Sequence, residues 1–441
     1  MRRAKAKNLT LSLASTKAAD PPAPAKVNDS DALNTPVSKH LPNEILAMII
    51  GCIAPSDPRE IIPASHESTK TLLKLAQTCK LFHHIAMRHV LRHCVYIDSR
   101  SRIQSFVEYV MVSLSHPRND GRLQHIHQMY MRPFQSDSGS ERNIYEEESG
   151  ASTVLDSWTC SALVQVFKRL AGGLRRLVVD IPLRSLSTTD GTGETRILLH
   201  QGFKALDKLE EFTSINDELY LKIPNRPYTD SEQPPESLEC VWRHWPNLKR
   251  LCLYNLDLPC GGPIWDHLRN HPKLKHLLLV RGEPSIVEEE TDIKEAWKCA
   301  KAPDGEEEPG RQLTITWWDS IEEQPNFTKF AADWQEIDPK QRVRVMVVDT
   351  PNAMDPIDMN KDVVRHYVLK GTLFELDAIG AEDGVTKNHN EDVEVREAKA
   401  KARLEDEGVL DKIQKYIVIE NVAEYARARL GAQQSTIGFD D

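Results

Sequence analysis

Residues 248–256 read LKRLCLYNL, with leucine at 248, 251 and 253. A strand sends successive side chains to opposite faces, so Leu251 and Leu253 turn one way while Arg250, Cys252 and Tyr254 turn the other. The same spacing recurs at Leu174, Leu177, Val179 and at Leu274, Leu277, Leu279, and in part at Leu209, Phe212. Gly172-Gly173 stands before the first of these runs, as a helix stop. The prolines of WPNL and HPKL punctuate the chain before two others. Further strand-like runs are CVYID (94–98), HIHQMYM (125–131), LTITWW (313–318) and VRVMVVD (343–349). Helix-like stretches, RIQSFVEYVMVSL and CSALVQVFKRL, lie between some of them. The alternation predicts an α/β chain.

The first leucines of the four related runs fall at 174, 209, 248 and 274. Only the last interval has the roughly 20–29-residue length of leucine-rich repeats; the others are longer. Residues 98–350 therefore read as an irregular leucine-rich-repeat-like α/β solenoid, in which stacked units share one leucine ladder. Variable loops are expected at 135–157, 182–200 and 284–311. If the repeats stack in parallel, the inner face carries Arg176, Asp180, Arg250, Tyr254 and His276, together with Val178, Glu211, Thr213, Cys252 and Leu278. A slip of one residue would exchange these with the core. Residues 351–441 read as a C-terminal cap. Within it, EDVEVREAKAKARLEDE (391–407) predicts an exposed charged helix, with Asp392–Arg396 and Glu397–Lys401 at i,i+4. KYIVIENVAEYARARL (415–430) predicts a strand and a closing helix.

The chain has 441 residues, a formal net charge of −10 and 28% charged residues. The sequence pI is near 5.9. An acidic chain of this kind lacks the basic stripe of a nucleic-acid binder, so none is expected as a partner. No run of about 18 apolar residues is present, and no membrane partner is expected. The eight cysteines are scattered without a C-x-x-C pair and read as reduced thiols. Residues 1–39 read as a basic, proline-rich disordered tail. Arg2, Arg3, Lys5, Lys7 and Lys17 with no acid among the first nineteen residues also fit a mitochondrial presequence, but ADPPAPAKV after them favours the tail. The expected location is cytoplasm or nucleus.

Residues 40–97 have a different texture. Three helices are predicted, Leu41–Ile53, Ser68–Gln77 and Cys79–Arg92, from apolar spacing and the breaks at Pro55, Pro58 and Pro63. On a helical wheel the apolar residues of LPNEILAMIIGCI cover an arc of roughly 200°, where a surface helix needs about 100°. The surplus predicts either a partner interface or cover by the rest of the chain.

LPNEILAMIIGCI followed by LLKLAQTCKLFHHIAMRHVL resembles an F-box. Leu41, Pro42, Glu44, Ile45, Leu46, Leu75, Cys79, Lys80, Phe82 and Leu91 fall in the family's pattern. The segment Ala54–Glu67 is longer than the family's usual connection and rich in proline, and Leu91 lacks the frequent following Trp. With the irregular repeats, the chain is similar to the large group of fungal F-box proteins. The resemblance implies docking on the Skp adaptor of SCF ubiquitin ligases and capture of an unidentified protein client by the downstream domain. It assigns Leu41, Pro42, Ile45, Ile49, Cys79 and Lys80 to the adaptor interface. Arg176, Asp180, Arg250, Tyr254 and His276 become the client-binding candidates. Ubiquitin transfer belongs to other subunits, so no catalytic residue, cofactor or metal is assigned.

Other signals are weaker. Cys79/His83 and His89/His93 have i,i+4 metal-ligand spacing, but the F-box pattern explains Cys79, and histidine suits a helix end. GTGET (191–195) lacks the strand and the Lys-Ser/Thr of a phosphate loop and reads as a flexible loop. The acidic runs 287–292 and 304–309 read as solvated loops. Two rival readings remain: a scaffold with no ubiquitination role, and an α/β enzyme, for which no catalytic motif is present.

Overall fold

The computed structural model describes residues 41–115, 121, 123–133, 157–181, 194–216, 241–255, 271–281, 313–320, 343–351, 356–383 and 392–410. The chain divides into two compact units, Met1–Leu46 and Ala47–Asp441. In the first, the described part is Leu41, Pro42 and the opening turn of α1 (Asn43–Gly51). The expected tail 1–39, the acidic runs and the segment 415–430 lie outside the described residues.

In the larger unit, α2 (Glu67–Ala76) and α3 (Lys80–His93) pack together. Ile50, Leu72, Ala76 and Ala86 form a small core with Ile53, Leu75, Phe82 and Ile85 against it. After α3 the chain builds one nine-stranded sheet whose strands stand in sequence order. They are β1 (Tyr96–Ile97), β2 (Gln128–Met131), β3 (Arg176–Val179), β4 (Glu211–Ser214), β5 (Arg250–Tyr254), β6 (His276–Val280), β7 (Leu313–Ser320), β8 (Val343–Thr350) and β9 (Glu382–Asp383). Pairing is parallel from β1 to β8 and antiparallel between β8 and β9. Parallel neighbours need crossovers. Helices α4 (Arg100–Ser115), α5 (Ser157–Leu170) and α6 (Glu194–Lys204) lie in three of them. Glu194 and Thr195, read as loop in GTGET, open α6, while 191–193 lie outside the described residues.

The register aligns Gln128, Arg176, Glu211, Arg250, His276, Thr314 and Arg344 across the strands. Strand alternation then separates two cores. On the first face, Leu177, Val179, Phe212, Leu251, Leu253, Leu277, Leu279, Ile315 and Trp317 meet Phe167 of α5, Phe203 of α6 and Trp245. This is the predicted leucine ladder in the predicted register. On the second face, Tyr130, Val178, Cys252, Tyr254, Leu278, Val280, Trp318 and Val348 meet Val363, Val364, Tyr367 and Val368 of α7 (Pro356–Lys370). Leu373, Phe374, Ile379 and Leu404 complete that second core.

The result is a mixed α/β fold with a large sheet, and the expectation of a solenoid is corrected. A solenoid leaves its strand face open for partners. Here the second face is apolar and is packed against α7 and residues of 371–383 and 392–410, and the last strand reverses. Strands buried on both faces read as near-continuous apolar runs, as HLLLV and RLVV do. The charged helix α8 (Val393–Asp406) is likewise not wholly exposed. Arg396, Ala400 and Leu404 turn inward. Asp392 caps the helix by accepting from Glu394 N–H at 3.0 Å. Arg396 Nη2 reaches Asp349 at 2.9 Å.

Candidate functional site

Pro42 stands just before α1, where its missing N–H leaves no bond unmade. Its carbonyl accepts from Ile45 N–H at 3.0 Å and Leu46 N–H at 3.1 Å, which starts the helix. Leu41 and Ile45 are 54% and 41% exposed. In the larger unit, Ile50 is buried, while Met48 and Ile49 are 67% and 52% exposed. Large apolar side chains at such exposure on one short helix are the surplus the wheel predicts. Leu41 and Ile45 are exposed in the first unit, and Met48 and Ile49 in the larger one. Met48, the most exposed, was on the predicted apolar arc but not among the residues assigned to the interface.

Cys79 and Lys80 are exposed at the start of α3. Cys79 has extended backbone, φ −154° and ψ 167°, and makes no capping bond. Lys80 has no ion-pair partner among the described residues. The turn before it is held by Thr78 Oγ1 donating to Leu75 O at 2.8 Å, and by His83 Nδ1 and Ala76 O at 3.0 Å. His93 Nδ1 donates to Glu60 O at 3.0 Å. His89 stacks on His93 with ring centroids 6.5 Å apart. Burial pushes both imidazoles below their ordinary range; the His93 charge adds to this at His89, and the Glu60 bond opposes it at His93. Among the described residues, no group of three His, Cys, Asp or Glu is arranged to hold a metal ion.

The five client-binding candidates fare differently. Arg176, Asp180 and Tyr254 are buried, and an open inner face is corrected at these positions. Arg176 Nε lies 2.5 Å from Glu211 Oε1, and its Nη2 donates to Val368 O. Asp180 Oδ2 accepts from Tyr130 OH at 2.6 Å and Arg365 Nε at 2.9 Å. Arg250 and His276 are half-buried. Arg250 Nη1 lies 3.0 Å from Glu211 Oε2. His276 has Phe374 at 6.4 Å between ring centroids. Burial, then Arg250 and Lys275, push its imidazole down.

The buried carboxylates of Glu211 and Asp180 are each paired with arginine. Burial alone would raise Glu211, but Arg176, Arg59 and Arg250 outweigh it and hold it below the usual carboxylate range. Burial opposes ionisation at Asp180 too, and Arg365 and Arg132 overcome it. Tyr130 is pushed well up by burial and by Asp180, and stays a donor. Carboxylates paired in this way help to hold α7 onto the sheet.

Residues 39–98 match the family model for F-box-like domains. The N-terminal module is an F-box-like domain. No curated protein and no solved structure matches the chain. Domains of this kind typically bind Skp adaptors. Sequence reasoning located the helices and the exposed apolar side chains of this module. It did not identify Arg59, Gln128 or Arg365, whose partners are far away in the chain.

Proposed function

We propose that this chain is a substrate-recognition subunit of an SCF-type ubiquitin ligase. Its F-box-like domain docks on the Skp adaptor, and the sheet-bearing body carries a protein client. The carrying observation is the match of residues 39–98 to the F-box-like model, together with a set of solvent-facing apolar side chains at Met48 and Ile49 in the larger unit. Burying such a set on a partner is favourable at about 25 cal/mol per Å² of apolar surface. Leu41, Pro42, Ile45, Ile49, Cys79 and Lys80 form the proposed adaptor contact, with Met48 added. Lys80 suits an acidic adaptor surface. In this reading the ubiquitin-transfer chemistry belongs to other subunits, and the buried Asp180 and Glu211 serve the fold through their arginine partners. Arg250 and His276 keep partial access and are the remaining client candidates from the strand row. A cytoplasmic or nuclear site of action and a place among fungal F-box proteins accompany the reading and rest on the resemblance of residues 41–91.

The test is co-purification of the full chain with a Skp adaptor by size exclusion. Wild type co-elutes, and Pro42→Ala/Ile45→Asp does not, while its circular dichroism stays that of wild type. A folded wild-type chain that elutes apart from the adaptor removes the ligase reading. Unchanged co-elution of the double variant removes the interface assignment.

A further inference from the structure

Two oddities of the sequence meet in space. One is the long, proline-rich connection Ala54–Glu67 inside the F-box-like module. The other is the polar row Gln128, Arg176, Glu211, which is buried although Arg176 and Glu211 were expected on an open face. Gln128 Nε2 donates to Pro58 O and Glu60 O, each at 3.1 Å, and to Arg92 O at 3.0 Å. Arg176 Nη1 donates to Arg59 O, the carbonyl between those of Pro58 and Glu60. Two sheet side chains thus take up successive carbonyls of the connection. Buried carbonyls need such partners.

The connection also reaches back. Arg59 Nη2 lies 3.4 Å from Glu211 Oε2, and its Nη1 lies 3.3 Å from Glu375 Oε1. Ile61 N–H donates to Leu369 O at 2.8 Å, and Ile62 N–H to His93 O at 2.9 Å. The Ile61 side chain belongs to the second-face core with Tyr130, Val178 and Val368. Gly371 makes the approach possible. It has φ +85°, and a Cβ there would stand 2.8 Å from Arg59 Cβ. A positive φ and a close approach are both places for glycine.

We propose that Ala54–Glu67 is a strut that fixes the α2–α3 pair to the sheet, with Arg59, Gln128, Arg176 and Glu211 as positioning residues. The connection is long because it must span to the sheet, and the polar row is its receptor. The proposal rests on the adaptor-docking reading for its purpose. A rigid attachment holds whatever the sheet body carries at one distance and angle from the ligase. A slack linker would dilute it over many.

The experiment uses the full chain with spin labels on unnatural amino acids at Thr71 in α2 and Lys208 before β4, both exposed. Pulsed dipolar spectroscopy reads the distance between them, with and without a Skp adaptor. Wild type gives a single narrow distribution in both states. Arg59→Ala/Gly371→Ala broadens it about twofold, as expected of freed collective motion. The variant still co-elutes with the adaptor, and exchange of the Ile61 and Ile62 amides rises about tenfold. Arg59→Ala alone leaves Glu211 paired with Arg176 and Arg250, and serves if the double variant does not fold. A broad distribution in wild type overturns the strut, and so does an unchanged width in the variants. A narrow wild-type distribution in a chain that ignores the adaptor overturns the docking reading and leaves the strut standing.

Discussion

Arg176→Met removes a heavily bonded side chain of the second face. Its guanidinium serves Glu211 at 2.5 Å and Gln128 Oε1 at 3.2 Å, and also the carbonyls of Arg59 and Val368. Removing one partner of a buried ion pair costs about 3–5 kcal/mol. Arg59 and Arg250 remain beside Glu211, with side chains 25% and 35% exposed, and keep it ionised. The lower end of that range therefore applies, about 3 kcal/mol. The abandoned carbonyls lie under α7, and about 1 kcal/mol or more is added for leaving them unbonded. The expected loss is about 4 kcal/mol. Arg176→Met/Glu211→Leu should lose about 1–2 kcal/mol less than the single variant, because no buried carboxylate is left short of a partner. Arg59 and Arg250 can then turn to water. The assay is urea unfolding of the full chain followed by tryptophan fluorescence, since Trp245, Trp317 and Trp318 are buried in the sheet's two cores. A single-variant loss under about 1 kcal/mol would refute the reasoning, as would a double variant weaker than the single. The acid limb offers a second check. Glu211 is held below its ordinary pKa, so its contribution is present above the usual carboxylate value and disappears as pH falls through the lowered one. Arg176→Met should flatten that limb.

The imidazoles of His89 and His93 are also held down, so the folded state binds fewer protons than the unfolded. Their contribution is full above about pH 6.5 and is lost as pH falls through the lowered folded values; melting temperature should drop between neutral and mildly acidic pH, less steeply in His89→Phe/His93→Gln. Trp245→Phe strips the donor that Phe203 O accepts at 2.8 Å and thins the stack on Phe212; a loss of about 2–3 kcal/mol in urea unfolding is expected, and none would mean the site repacks freely. Asp392→Ala removes the cap of α8 and should cost about 1 kcal/mol, confined to that helix. Hydrogen exchange should then quicken at Glu394–Arg396 and not in β5.

What the sequence shows depends on how far apart the partners lie. The helices around Leu72, Ala76 and Ala86 follow from local spacing, and so does the ladder Leu177, Leu251, Leu277. Both pack against near chain neighbours. The second core was half visible. Val178, Cys252, Leu278 and Val280 occupy the face taken as open, and an open face with that many apolar positions is unstable in water. Val363, Val364, Tyr367 and Val368 have the helical spacing to cover it. The pattern was present, but the assignment of cover to face needs the tertiary fold. Arg59, Gln128, Arg176 and Glu211 offer no such clue. Each is an ordinary polar residue, and only the fold brings it to its partners.

The cover of the second face by α7 and the described residues after it has a consequence for synthesis. Strands β1 to β8 leave the ribosome before the helix that covers them. Until α7 follows, Val178, Leu278, Trp318 and Val348 lack Val363, Val364, Tyr367 and Val368, the helix residues of their core. Arg176 must wait for Val368, 192 residues further on, to fill one of its bonds. The nascent chain therefore passes through a stage with a half-finished, sticky sheet, the kind of species that aggregates or engages chaperones. A message truncated before residue 356 would freeze the chain at that stage. Such a product should be captured by holdase chaperones even with its F-box-like helices intact.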